Sequence, residues 1–186
     1  MKRSFDIFLV FIFFFSFFFL IVLIAILIKL TSNGPVLYWS DRIGQFNKFF
    51  KMPKFRTMKL NTPQIASNLM IEPSLYLTLF GTFLRKTSLD EIPQLWSILV
   101  GDMTFVGPRP ALFNQYDLIK LRARKGIHNL VPGLTGWAQV NGRDDLSIAI
   151  KVKFDAEYLK KKSFIFDLKI LYLTLIKIIR REGIRH

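Results

Sequence analysis

Residues Arg85 to Pro110 read RKTSLDEIPQLWSILVGDMTFVGPRP, a stretch that places two adjacent carboxylates, Asp90 and Glu91, between flanking cations and a rigid turn. Ser88 and Glu91 have the spacing of a capping box, and Ile92, Leu95, Trp96 and Leu99 form the apolar stripe of a short amphipathic helix. In a second register the helix starts at Pro93, whose missing N–H does no harm in a first turn. Either register puts the carboxylates at a helix N-terminus, where unpaired N–H groups and a partial positive charge also suit phosphate oxygens. An isolated Asp-Glu pair commonly does no more than cap a helix. Here Arg85 precedes the pair, and Pro108 and Pro110 hold Arg109 in an extended segment that cannot join a helix. Phosphate chemistry is therefore a plausible task for the stretch.

With 186 residues the chain can hold one domain with a core plus an appendage, but hardly two independent domains. A formal net charge of +14, from 27 Lys and Arg against 13 Asp and Glu, calls for an anionic partner: nucleic acid, an acidic membrane surface or a phosphorylated substrate. The lack of Cys excludes disulfides and thiolate metal sites, and two His are too few for a histidine-built zinc centre. Any metal should be oxygen-bound, as Mg2+ is.

Ile7 to Ile28, IFLVFIFFFSFFFLIVLIAILI, is a continuous apolar run of about 22 residues, long enough to cross a hydrocarbon core of about 30 Å. A cleavable signal would have a shorter apolar region followed by small residues, and a buried soluble helix seldom stays apolar on every face. The run therefore reads as membrane-inserted, and the chain divides into a membrane helix, 1–30, and a catalytic domain, 31–186. Lys2 and Arg3 precede the run while Lys29, Arg42, Lys48 and Lys51 follow it, too little asymmetry for the positive-inside rule to choose an orientation. No second apolar run of spanning length follows, so the rest lies on one side.

Val36 to Met58 has aromatic and β-branched residues around a turn at Gly44 to Asn47, which predicts a short hairpin with Tyr38 and Trp39 at the membrane interface. Asn61 to Glu72 is polar and aperiodic, a mobile connection or a short helix over the site. Pro73 to Leu84 reads as helical, and Ala111 to Asn129 as one charged helix. Its cations resemble a nucleic-acid face, but the chain has no recognisable nucleic-acid motif, and a solvated or lipid-facing role is the better assignment. Pro132 to Arg143, PGLTGWAQVNGR, is a glycine-punctuated loop suited to close approach of another backbone or a ligand. Ile165 to Ile179 carries Lys169 and Lys177 within an apolar helix, the pattern of an interfacial helix lying among headgroups. The fold class is thus α+β and mostly helical.

LDEIPQLW followed by GDM and VGPRP, the RIG and KFRTM segments, and PGLTGWAQVNGR together resemble the bacterial polyprenyl-phosphate phosphoglycosyl transferases, the initiating sugar transferases. The resemblance implies an enzyme of the bacterial inner membrane, its catalytic domain on the cytoplasmic face. Such an enzyme moves a sugar-1-phosphate from a UDP-sugar to polyprenyl (undecaprenyl) phosphate. By the same resemblance Asp90 is the nucleophile and a ligand of Mg2+, Glu91 orients the site or helps deprotonate the acceptor, and Lys54 belongs to the site. Asp155, in a D-x-x-Y pattern with Tyr158, lies near the site or is an ordinary helical ion-pair partner. The family's membrane helix re-enters one leaflet through a Ser-Pro break, which maps onto Ser16. Phe17 follows in place of proline, so no backbone hydrogen bond is lost and a straight span stays open.

Two like charges at 4 Å cost about 4 kcal/mol at an effective dielectric of 20, so a carboxylate attacking a diphosphate needs neutralising cations. Mg2+, Arg85 and Arg109 are candidates, with Arg109, between Pro108 and Pro110, gripping the diphosphate in a planar, bidentate way. A membrane-anchored scaffold without catalysis would keep the anchor and the basic surface but have no use for the Asp-Glu pair. Bilayer lipids are expected partners, and a homodimer is an assembly state the residues leave open.

Overall fold

The computed structural model describes residues 2–60, 62, 72–142 and 146–180, so the Asn61 to Glu72 connection lies largely outside the described residues. The first element, α1 (Lys2–Thr31), is among the described residues the one helix long and apolar enough to cross a membrane. It starts five residues before the apolar run because its polar first turns find partners. Asp6, 4% exposed, accepts from the Thr104 hydroxyl at 2.6 Å and the Phe105 N–H at 3.2 Å. Lys2 pairs with Asp167 at 2.8 Å and donates to the Val106 carbonyl at 2.7 Å, and Arg3 donates to the Ile98 and Leu99 carbonyls. The far end of the helix docks by apolar contact: Ile24 and Ile28 are buried against Phe55 and Leu84. Arg56 then closes the terminus by donating to the Ser32 carbonyl at 2.9 Å and to the Asn33 carbonyl.

Between these two anchorages residues 14–19 are exposed on every side, Phe15 at 72% and Phe19 at 85%. The helix is not broken at Ser16, contrary to the break mapped there, because Phe17 keeps the N–H that a proline would remove.

The hairpin forms as read. Strands β1 (Leu37–Ile43) and β2 (Phe49–Phe55) pair antiparallel, with Tyr38 opposite Lys54 and Trp39 opposite Pro53. β2 is the edge of a three-stranded sheet ordered β2-β1-β4, where the missing N–H of Pro53 is tolerated. After a 3-10 turn, Pro73–Tyr76, comes α2 (Leu79–Thr87), then a second 3-10 segment, Leu89–Gln94, running into α3 (Leu95–Val100). β3 (Thr104–Val106) pairs in parallel with β5 (Gly133–Thr135), and β4 (Ala111–Leu112) joins β1. The single helix expected over Ala111 to Asn129 is shorter: α4 (Tyr116–Arg124) lies between β4 and a 3-10 turn, Ile127–Asn129. Gly126, at φ 71°, stops it in the left-handed conformation that glycine takes at little cost. The chain ends in α5 (Trp137–Val140), α6 (Ile148–Lys161) and α7 (Phe164–Arg180).

The main core joins Val10 of α1, Met52 of β2, Ile98 of α3, Phe105 of β3 and Ile170 of α7. Along α7, Ile165, Leu168, Tyr172, Leu175 and Ile178 remain exposed on a face away from buried Ile170, the second apolar face that an interfacial helix requires.

Asp6→Ala leaves a buried backbone N–H and a hydroxyl without their acceptor, at a cost of about 1–3 kcal/mol. Thermal unfolding of the detergent-solubilised protein should show a lower Tm. An unchanged Tm would mean that α1 does not dock through Asp6.

Candidate active site

The two carboxylates are presented differently from the sequence expectation. Ser88 is the C-cap of α2, with a left-handed backbone at φ 56°, and its side chain caps nothing, so the capping box does not form. Asp90 and Glu91 sit in the 3-10 segment between α2 and α3, and the six-residue α3 begins only at Leu95. Trp96, read as part of the apolar stripe, points outward at 55% exposure, since the 3-10 turns rotate the face that Ile98 then buries. The positive environment of the carboxylates therefore comes from side chains rather than from a helix end.

Three separate stretches deliver those cations. Lys54 of β2 lies 2.8 Å from Glu91 Oε1 and 3.9 Å from Asp90 Oδ2. Arg109 Nη2 donates to the same Glu91 oxygen at 2.6 Å. Arg85, in the last turn of α2, donates from Nε to the Thr57 hydroxyl at 3.0 Å and from Nη2 to Met58 Sδ, close enough to Asp90 to feel its charge. The residues Asp90, Glu91, Lys54, Arg85 and Arg109 thus converge on one site.

Asp90 is 8% exposed, and burial pushes its carboxyl above the ordinary carboxylate range; Lys54 pulls it back, Glu91 pushes it further up, and Arg85 and Arg109 pull it down. Burial likewise lowers the Lys54 ammonium, against the pull of Glu91 and Asp90. The reference carboxylate value of about 3.9 is therefore not the one Asp90 carries here. One turn on, Gln94 is 1% exposed and its Nε2 has no protein acceptor among the described residues, a buried donor that the sequence did not single out.

Pro108 and Pro110 are buried and serve Arg109 through the backbone. The Gly107 N–H donates to the Thr135 carbonyl at 2.8 Å, and the Gly133 N–H to the Pro108 carbonyl at 2.9 Å. A Cβ on Gly133 would come within 2.1 Å of the Gly107 nitrogen, which explains glycine in a loop packed so tightly behind the arginine. Asp155 does not join the carboxylates. It is 1% exposed, and its Oδ2 accepts from Arg122 Nε at 2.9 Å and Nη2 at 2.7 Å. In the sequence Arg122 is indistinguishable from the other cations of a charged helix, and only the packing of α4 on α6 singles it out.

Among the described residues no group of three or more His, Cys, Asp or Glu could hold a metal. The donor set that Asp90 and Glu91 offer is one or two carboxylates, the kind Mg2+ uses when substrate phosphates and water complete its shell.

The raised Asp90 value has a stability consequence of definite sign. The folded protein holds this proton more tightly than the unfolded chain, so the contribution is fully present below the unfolded value near ~3.9 and is lost as pH rises through the folded one. Asp90→Asn should raise Tm at about pH 8, with the gain fading toward about pH 4. A lower Tm for the variant at the higher pH would contradict this electrostatic picture.

Comparison with known proteins agrees with the motifs. The bacterial sugar transferase family model matches residues 1–181. The uncharacterized sugar transferase EpsL of Bacillus subtilis is 37% identical over 186 residues, covering 100% of this chain and 90% of that protein. The UDP-glucose:undecaprenyl-phosphate glucose-1-phosphate transferase of Escherichia coli is 38% identical over 187 residues, which is 95% of this chain but 40% of the relative. The UDP-N-acetylgalactosamine-undecaprenyl-phosphate N-acetylgalactosaminephosphotransferase of Aeromonas hydrophila is 34% identical across 100% of this chain, again only 45% of the longer protein. A family match over nearly the whole length, on a site with Asp90, Glu91 and three convergent cations, establishes that the chain belongs to the bacterial sugar transferases, the polyprenyl-phosphate phosphoglycosyl transferase family.

Proposed function

We propose that the protein transfers a sugar-1-phosphate from a UDP-sugar to undecaprenyl phosphate through a phosphosugar covalently held on Asp90. One observation carries the reading: a nearly buried carboxylate with Glu91 beside it and Lys54, Arg85 and Arg109 around it. Ionised Asp90 attacks the β-phosphorus of the donor; a P–O bond forms to its carboxylate, the α–β bridging P–O bond breaks, and UMP leaves with the electron pair. The acceptor phosphate then attacks the same phosphorus and releases Asp90. Arg109 binds the diphosphate oxygens, and Lys54 and Arg85 offset the charge that would repel an anionic nucleophile. Glu91, committed to Lys54 and Arg109, holds both cations in place. Mg2+ held by Asp90 and donor phosphate oxygens would supply further charge neutralisation.

The acceptor is too apolar to leave the bilayer while the donor is soluble, so the site has to work at the interface. The exposed apolar ring of α1 and the outer face of α7 would set that depth among bilayer lipids. Both ends of this unbroken helix dock on one domain, which supports a helix lying within a single leaflet rather than one that crosses. The chain has no cysteine, so this is readily tested. Cysteines introduced at Ser4 and Asp102 should both react with an impermeant maleimide from the same side of sealed inverted vesicles. Protection of Ser4→Cys alone would indicate a span.

Incubation with a radiolabelled UDP-sugar and no acceptor should yield UMP and one equivalent of protein-bound label, discharged by undecaprenyl phosphate. Asp90→Asn should form no adduct and lose at least about a thousandfold in kcat, the scale of removing a nucleophile. Wild-type turnover in that variant would exclude the mechanism. A panel of UDP-sugars under the same assay identifies the sugar.

A further inference from the structure

Pro108 and Pro110 carry no N–H, so the segment that presents Arg109 cannot be fastened by its own donors on either side of that residue. It is held through three consecutive carbonyls instead. The Pro108 carbonyl accepts from the Gly133 N–H at 2.9 Å, that of Arg109 from Arg122 Nη1 at 2.7 Å, and that of Pro110 from Arg42 Nη1 at 3.2 Å. Of these donors Arg122 is itself aimed by a buried anion. Its Nε and Nη2 both rest on Asp155 Oδ2, and the two side chains are 11% and 1% exposed. A guanidinium is a rigid planar fork, so fixing two of its nitrogens on Asp155 fixes the direction of the third. That third nitrogen meets the backbone of the residue whose own side chain reaches Glu91.

We infer that Arg122, oriented by Asp155, is a positioning residue that sets the Arg109 guanidinium against the donor diphosphate. The inference rests on the role given above to Arg109. Asp155 on this account never touches substrate; it acts at one remove, through Arg122 and then the Arg109 carbonyl. A buried ion pair is weak evidence for stability in itself, whereas a displacement of about 1 Å at a substrate-gripping group can cost about a hundredfold in rate. Lysine cannot replace the arginine, since its single ammonium can hold Asp155 without also reaching, in a fixed direction, the Arg109 carbonyl.

The test is a double-mutant cycle in the full-length protein with UDP-sugar and undecaprenyl phosphate. Arg122→Lys should lower kcat/KM for the donor at least tenfold, chiefly through donor KM, leave acceptor KM unchanged, and shift Tm little. In an Arg109→Ala background the same substitution should change donor kcat/KM less than twofold. Asp155→Asn, which keeps the shape and an acceptor oxygen, should give a smaller loss that also vanishes in that background, and it carries the cycle if Arg122→Lys does not fold. Equal losses in both backgrounds, or a loss that tracks Tm and raises both KM values alike, would overturn the inference while leaving the proposed function intact. Wild-type activity in Arg109→Ala would remove the assigned role of Arg109 and this inference with it.

Discussion

A single carboxylate oxygen, Oε1 of Glu91, receives Lys54 from a β-strand and Arg109 from a proline-framed segment, and the catalytic half of the molecule is arranged to bring those two cations to it. Neither cation could be left there alone. Burying an unpaired charge costs several kcal/mol, and burying two acids side by side without counter-charge would cost more still. The hairpin, the Leu89–Gln94 turn and the Pro108–Pro110 segment are thus mutually required: each supplies charge that the others cannot bury unaided. The same balance leaves Asp90 less committed than its neighbour, near Lys54 at 3.9 Å, with its carboxyl raised by burial. Glu91 is the member of the pair that takes the direct contacts.

The long apolar helix α1 meets a related constraint with different means. Its C-terminal half docks by apolar contact, Ile24 and Ile28 against Phe55 and Leu84. Asp6 on the Phe105 N–H and Lys2 on Asp167 and the Val106 carbonyl hold the N-terminal turns against β3. Val106 leads directly into Gly107 and Pro108, so the anchor of the helix and the support of Arg109 share one short strand. The docking of the helix and the placement of Arg109 are thereby set by the same piece of backbone.

Much of this was readable one-dimensionally. The apolar run, the hairpin around Gly44 to Asn47 and the amphipathic tail each follow from local composition, and the structure contains all three. The Ser-x-x-Glu spacing at Ser88 is compatible both with a capping box and with a helix C-cap followed by a 3-10 turn. Nothing local distinguishes the two until α2 has been placed. Trp96 falls outside the buried face for a similar reason: a helical period counted through a 3-10 segment drifts off that face.

The sequence by itself determined the family, the long apolar helix and the identity of the acid pair, because these depend on residue type and spacing along the chain. Only the tertiary structure decided which cations face the acids, that both ends of α1 rest on one domain, and that Asp155 is spent on Arg122 rather than joining the carboxylates. The physical reason is range: spacing specifies neighbours within a turn or a strand, whereas a buried charge takes its partner from whatever element the fold packs against it.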